Sequence, residues 1–324
     1  MKCHKCAERA AIHMRQHKLA LCAEHYLEWL PQQTQRFIEK YRMFGPDDRI
    51  LVAVSGGKDS LSLWDVLLRL GYQADGLYIG LGIDGGIAYS AQSYEKVLKF
   101  YEDRGKAHPG IRLEVVDVAR LYGASVPEAA HISNRGRGKP CSVCGLIKRH
   151  IMNRMAYDGG YDALATGHNL DDEVAVLMQN TLHWQTGYLA RQAPVLEATH
   201  PGLARKVKPF CRFYERETAA YALLRDIDYI YEECPYAEGS NTIYYKELLN
   251  QLESARSGAK LQFYLSFLEA KESGLFDAVR DEVVLNPCTK CGQPTSAPGE
   301  CAFCRLWDRV NAYKAEGRPV RVLA

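Results

Sequence analysis

What the 324-residue chain lacks narrows its function first. No run approaches the ~18 consecutive apolar residues of a membrane-spanning helix, and no signal-like segment opens it. A cytoplasmic protein with no membrane partner is therefore expected. Charge of one sign is also missing: 41 Lys and Arg stand against 39 Asp and Glu. Any nucleic-acid binding must come from local basic patches and not from the net of +2. The chain has no low-complexity segment and no G-x-x-x-x-G-K-S/T loop, which excludes that way of cradling a triphosphate. Cysteine is the exception, with eleven residues. All but Cys211, which reads as a small buried residue, fall into metal-ligand patterns, so ligation is favoured over disulfides.

The chain is organised around Val52-Ala53-Val54-Ser55-Gly56-Gly57-Lys58-Asp59-Ser60. The apolar run from Arg49 to Val54 reads as a buried strand. A helix is expected from Lys58 to Leu70, with Leu61, Leu63, Val66, Leu67 and Leu70 on its apolar side. The glycines between them let the backbone approach an anion, and the helix N-terminus adds N–H donors and partial positive charge. Lys58 and the hydroxyls of Ser55 and Ser60 add donors, so the loop suits pyrophosphate. An ordinary strand-turn-helix connection is the plain alternative, and two adjacent glycines in this setting argue against it.

Further strands are expected at Ala74 to Ile83, Ile111 to Val118 and Tyr161 to Thr166, with helices at Ala91 to Tyr101 and Asp171 to Leu182. That alternation predicts an α/β fold with a parallel sheet covered on both faces. Ligands of such sheets sit beyond the carboxyl ends of the strands. The rule gathers the Ser55–Ser60 loop, the end of the Leu77–Gly80 strand and the Gly167–Asp172 turn into one pocket, with backbone near Ala53 and Ile79 placed for an adenine ring. Asp171 and Asp172 read as helix caps, or Asp172 joins Asp59 across the pocket to hold Mg2+.

Cysteine spacing divides the chain. Cys3-x2-Cys6 with Cys22-x2-His25, and Cys288-x2-Cys291 with Cys301-x2-Cys304, each supply four tetrahedral ligands for a structural zinc. Cys141 and Cys144 have no second pair in their domain; Cys234 in Glu232-Glu233-Cys234-Pro235 is the expected third ligand. Three thiolates suit an iron–sulfur cluster with one iron free of protein ligands; zinc or a Cys141–Cys144 redox disulfide are the rival readings. Lys148 and Arg149 lie about one turn beyond Cys144 and would point at phosphate or developing negative charge, unless the Arg135–Arg149 run is simply a solvated loop. The boundaries that follow are an N-terminal zinc finger at 1–30, a nucleotide-binding domain at 31–235, a helical segment at 236–285 and a zinc ribbon with tail at 286–324. Helices are expected from Leu30 to Met43, Asn241 to Glu253 and Lys260 to Lys271, the last two with core stripes at Tyr244, Leu248 and Leu252 and at Leu261, Tyr264, Leu265 and Leu268. Trp307, Arg309, Lys314, Arg318 and Arg321 give the tail a basic-aromatic character suited to RNA.

The words S-G-G-K-D-S, P-C-S-x-C-G, A-T-G-H-N-L-D-D-E and E-E-C-P together resemble the PP-loop enzymes that thiolate tRNA, within the N-type ATP pyrophosphatases. With the zinc modules at both ends the resemblance is greatest to the tRNA 5-methyluridine-54 2-sulfurtransferases, over essentially the whole chain. It implies a Rossmann-like PP-loop domain flanked by zinc modules, and a reaction in which the uridine C2 oxygen is adenylated by ATP with Mg2+ and then replaced by sulfur. It also implies a 4Fe-4S cluster on Cys141, Cys144 and Cys234, nucleotide contacts along Ala53–Ser60, Ile79 and Gly167, charge stabilisation by Lys148, and metal or base work by Asp172. A small ubiquitin-like thiocarboxylate protein as sulfur donor and a homodimeric assembly enter by the same resemblance. Thiolation of uridine 34 or cytidine 32 is the neighbouring alternative. A zinc-ribbon RNA-binding nucleotide or redox sensor is the reading from another class, and a PP-loop amidotransferase would need a glutaminase element that the chain does not show.

Overall fold

The computed structural model describes residues 1–105, 107–137, 139–237, 239, 241–279 and 284–317. At its centre lies a six-stranded sheet in the order Leu113–Asp117, Gln73–Gly80, Arg49–Val54, Ala163–Thr166, Lys206–Val207 and Val195–Leu196. The first five strands run parallel, and Val195–Leu196 closes the edge antiparallel. The chain starts in the middle at Arg49–Val54, moves outward through two strands, then crosses back to pair Ala163–Thr166 on the other side of the first. That reversal opens a crevice at the carboxyl ends of Arg49–Val54 and Ala163–Thr166.

Alternation on the first strand divides the interior. Ile50, Val52 and Val54 face one core, with Leu61, Trp64, Val97 and Phe213. Leu51 faces the other, with Leu77, Val143, Ile147 and Trp307. Trp64 is fully buried because Gly76 leaves room for its ring, where a Cβ would stand 2.5 Å from the indole. Its Nε1–H donates to the Ala74 carbonyl at 2.8 Å. Burial of an apolar side chain of that size stabilises by roughly 1.5–3 kcal/mol.

The two four-ligand clusters lie on opposite faces. Cys3 and Cys22 belong to the first core and Cys288, Cys301 and Cys304 to the second. Two short strands, Ile12–Met14 and Leu19–Leu21, form a hairpin that closes the N-terminal knot. Behind it Gln16 donates to Glu217 Oε1 at 2.6 Å, and Tyr26 Oη donates to the Glu217 carbonyl at 2.7 Å. The knot is thereby seated on the helix Glu215–Leu224. Buried Asp65 ties that helix to Lys58–Arg69, accepting from Tyr221 Oη at 2.6 Å and from Arg225 Nε at 3.0 Å. At the other end Phe303 stacks on His150 with ring centroids 3.6 Å apart, and Gln293 donates to the His150 carbonyl at 3.1 Å. The C-terminal knot is seated on the helix Pro140–Asp158.

Several local expectations shift. The helix expected from Leu30 to Met43 runs from Ala23 to Lys40 with Pro31 inside it on the buried side; the Leu27 carbonyl that the proline leaves free accepts from Arg69 at 2.9 Å. In Asn241–Ala255 the buried position is Leu249, not Tyr244 or Leu252, which are exposed, so the stripe is rotated. Ala259–Glu272 buries Tyr264 and Leu268 as expected. Trp307 is stacked on Tyr122, with centroids 4.9 Å apart, inside the helix Ala302–Ala315. It is a core residue and not a base-stacking platform; Arg318 and Arg321 lie outside the described residues. No described helix is long and apolar enough to cross a membrane.

Candidate active site

The switch-point crevice holds a cavity of about 480 Å3, within the range of small-molecule sites. Ala53, Val54, Ser55, Asp59 and Ser60 form its floor, Leu77 and Ile79 one wall, and Thr166, Gly167 and His168 another. The helix Pro140–Asp158 closes the cavity with Gly145, Lys148, Arg149 and Met152. Its periodicity is weak, since it is buried on one side by Val143, Ile147 and Ile151 and lines the cavity on the other. Tyr89, Ser90 and Ser93 complete the lining from the start of Tyr89–Gly105; nothing in their spacing marked them in advance.

The loop geometry depends on two glycines. Gly56 has φ +79°, and a Cβ there would meet the Ser93 carbonyl oxygen at 2.5 Å. Gly167 packs against the first turn of Lys58–Arg69, where a Cβ would stand 2.9 Å from the Ser60 amide nitrogen. Ser60, expected as a phosphate donor, lines the cavity and is also bonded within the loop. Its hydroxyl donates to the Gly57 carbonyl at 3.0 Å and accepts from the Ser55 amide at 3.1 Å, holding the loop in shape.

Lys58 and Asp172 stand beside the cavity in a chain of alternating charges. Lys58 Nζ reaches Asp59 Oδ2 at 3.1 Å and Glu215 Oε1 at 2.7 Å. Lys246 Nζ reaches Glu215 Oε2 at 3.1 Å and Asp172 Oδ1 at 2.6 Å. Burial pushes the Asp59 carboxyl above its ordinary range against the pull of Lys58, and the neighbouring Asp172 carboxylate adds to that push. Burial also acts on Glu215, but Lys246 and Lys58 overcome it and bring it down to about 2. Asp172 additionally closes a capping box, its carboxylate accepting from the Asn169 amide at 3.1 Å. Thus Asn169 is the cap, while Asp171 accepts from the Glu215 amide at 2.9 Å and pairs with Lys260. Glu215 and Lys246 were missed in the sequence because neither belongs to a recognisable word.

The three central cysteines do not line this cavity, but Cys144 directly precedes Gly145, which does, and Cys234 and Cys141 lie near Cys144. Cys141, Cys144 and Lys148 recur at helical spacing on one side of Pro140–Asp158. Cys141 is exposed at the helix start, its thiol 3.3 Å from the Tyr236 carbonyl. Burial raises the Cys144 thiol; Lys148 lowers it, and the nearby Cys234 and Cys141 raise it again. Tyr89 bridges the two regions: burial raises its phenol to about 12, with Cys234 the next cause. The Cys234-Pro235 turn is held against Gly85, where a Cβ would stand 2.2 Å from the proline ring.

Among the described residues, the groups drawn together tightly enough for a single ion are Cys3, Cys6, Cys22 with His25, and Cys288, Cys291, Cys301 with Cys304. Their sulfurs approach to 3.7 Å between Cys6 and Cys22 and to 3.8 Å between Cys288 and Cys304. Bonds of about 2.3 Å to one tetrahedral zinc set thiolates at about this separation. Burial raises the Cys3 and Cys288 thiols, but backbone N–H groups around each outweigh it and bring both to about 6. Cys141, Cys144 and Cys234 do not draw together in that way. Cysteine ligands of a multi-iron cluster bind different irons and stand further apart than those sharing one ion.

Strand, SGGKDS loop and switch-point cavity define an α/β protein of the PP-loop type, with small metal-binding modules at its ends. Residues 2–27 match the family described as "2-thiouridine synthetase TtuA, N-terminal LIM domain". The tRNA-5-methyluridine(54) 2-sulfurtransferase of Thermus thermophilus is 51% identical over 310 residues, 96% of this chain and 92% of its own. That of Thermotoga maritima is 40% identical, over 97% of this chain and 98% of its own. The U34-tRNA thiolase of Methanococcus maripaludis, solved with its 4Fe-4S cluster, shares the fold at a TM-score of 0.74 and 23% identity, covering 96% of both chains. The chain belongs to the tRNA-5-methyluridine(54) 2-sulfurtransferase family, a family of enzymes.

Proposed function

We propose that the protein carries out ATP-dependent 2-thiolation of 5-methyluridine 54 in the T-loop of tRNA. The carrying observation is one helix with two duties. Pro140–Asp158 lines the cavity with Gly145, Lys148 and Arg149, and the same helix carries Cys141 and Cys144, with Cys234 near Cys144. A base presented there reaches nucleotide and thiolates together. Its C2 oxygen attacks the α-phosphorus, pyrophosphate leaves with the P–O electrons, and the base becomes C2-adenylated. A sulfide then adds at C2, and AMP departs with the former carbonyl oxygen. The carbonyl, a poor leaving group, becomes a good one.

In this reading the loop from Ala53 to Ser60 seats the nucleotide, with Ile79 and Gly167 bounding it and Gly56 and Gly57 allowing the phosphates close. Asp59 and Asp172 hold Mg2+, their mutual repulsion fitting a divalent cation between them. Lys148 faces charge developing on the α-phosphate. Cys141, Cys144 and Cys234 fit a 4Fe-4S cluster by their thiolate chemistry and by not gathering around a single ion, the Methanococcus neighbour having been solved with such a cluster, and a cluster with one open iron supplies a place for sulfide. The end modules hold one zinc each. A homodimer, a cytoplasmic location and a small thiocarboxylate protein as sulfur donor complete the proposal.

The test is anaerobic: protein, tRNA, ATP, Mg2+ and sulfide, followed by mass spectrometry of nucleosides and assay of AMP and pyrophosphate. Stoichiometric 5-methyl-2-thiouridine at position 54 with AMP supports the reading. Nucleotide binding without turnover, or sulfur at position 34 or 32, overturns it in function or in target.

A further inference from the structure

The chain Asp172–Lys246–Glu215–Lys58–Asp59 contains a cation that the expected site does not use. Lys246 comes from Asn241–Ala255, the helix that follows the Cys234 turn, and it is about one-fifth exposed. In the present structure it neutralises Asp172, the carboxylate proposed for Mg2+. Glu215 holds both ammonium groups at once, Lys58 on one oxygen and Lys246 on the other. It begins the helix Glu215–Leu224, which the Asp65 network anchors to the PP-loop helix. The strut is therefore fixed relative to the loop, whereas a lysine can swing on its stem.

We infer that Lys246 is a second phosphate-binding lysine, paired with Lys58 by Glu215, and that it exchanges partners when the nucleotide binds. A divalent cation takes Asp172 and Asp59; the Lys246 ammonium, released from Asp172 but kept by Glu215, turns to the β- and γ-phosphates. The exchange conserves charge pairing at each step. Asp172 passes from a monovalent to a divalent partner, and Lys246 passes from a carboxylate to a phosphate oxygen. Lys246 would thus touch the leaving group, and Glu215 is a positioning residue for both lysines. This deepens the proposed function and rests on nucleotide binding in the loop.

Calorimetric titration of the full-length protein with Mg-ATP, Mg-pyrophosphate and AMP tests it without the thiolation reaction. In Lys246→Met, affinity for Mg-ATP and Mg-pyrophosphate should fall about tenfold or more, the worth of a charge-assisted hydrogen bond, with AMP unchanged. Lys246→Arg should recover most of the loss, and Glu215→Gln should lower both phosphate ligands without affecting AMP. Unchanged or tighter Mg-pyrophosphate binding in Lys246→Met overturns the inference, since Lys246 would then only plug Asp172. An equal loss for AMP also overturns it, as does failure of Lys246→Arg to recover affinity at unchanged melting temperature. A wild type that binds none of the three refutes instead the nucleotide reading beneath it.

Discussion

The two cysteine knots have the same four-ligand compactness, yet they steady different halves of the site. The N-terminal knot is seated on Glu215–Leu224, whose first residue holds Lys58 and Lys246 beside the SGGKDS loop. Its C-terminal counterpart is seated on Pro140–Asp158, which carries Cys141, Cys144 and Lys148. Each knot braces one of these helices, and the two knots lie on opposite faces of the sheet. Between them the central cysteines form a third arrangement, more open and partly exposed. Closure suits a fixed support, and openness suits a place where something arrives and leaves.

The greatest contrast should come from Cys144→Ala, which we expect to abolish thiolation in the nucleoside assay while shifting the melting temperature by only a few degrees. A variant retaining more than about a hundredth of the activity would sink the central role of that thiol. Knot variants should behave in reverse. Cys22→Ala and Cys304→Ala should each lose one equivalent of bound metal and several kcal/mol of stability, because the ion substitutes for a core. Hydrogen exchange sharpens the comparison: Cys304→Ala should loosen residues 140–158 first, and Cys22→Ala residues 215–224. Identical exchange maps would mean the knots are not regional braces.

Gly56→Ala should be intermediate, costing about 1–3 kcal/mol from the left-handed backbone alone and more from the Ser93 contact. Denaturant unfolding and ATP titration would both register it, and an unperturbed variant would show that the loop is free to relax. The mildest effect concerns pH. Burial raises the Glu217 carboxyl from 4.5 to about 8, opposed by the Tyr214 amide and Arg216 and reinforced by Asp171. The folded chain therefore keeps a proton that the unfolded chain has lost between those values, so this group's contribution weakens as pH rises from about 4.5 to about 8. Melting curves across that window should decline less steeply for Glu217→Gln; parallel curves would rule out the assignment.

Much of this was legible in the sequence, and the exceptions share a cause. The first strand occupies Arg49–Val54 as its apolar run implies, and the helix after the glycines ends at Arg69, one residue short of expectation. Both knots follow from local spacing, and Cys211 is buried as its isolation suggested. Pro140–Asp158 was visible only through the spacing of its chemical residues, because a helix buried on one side and lining a cavity on the other has no clean apolar period. The Ser60 hydroxyl is engaged within the loop, a contact that the loop's sequence does not announce. Glu215 and Lys246 could not be read at all. Their significance comes from an ion-pair chain whose members lie far apart in sequence, and periodicity sees only near neighbours.

The long return from Cys141 to the Cys234 turn has a consequence for the order of assembly. Each knot closes over a short loop, with Cys3 and His25 22 residues apart and Cys288 and Cys304 only 16. The contact between Cys141 and Tyr236 spans 95 residues and needs the sheet to have reversed between them. Local loops close early and distant ones late. On a ribosome the N-terminal knot can therefore take up its ion while most of the chain is still unmade, whereas the three central thiols meet only once the domain has closed. Under the proposed function, whatever delivers a cluster to them must recognise a nearly finished protein, and a cell short of that delivery would accumulate folded molecules awaiting one last part.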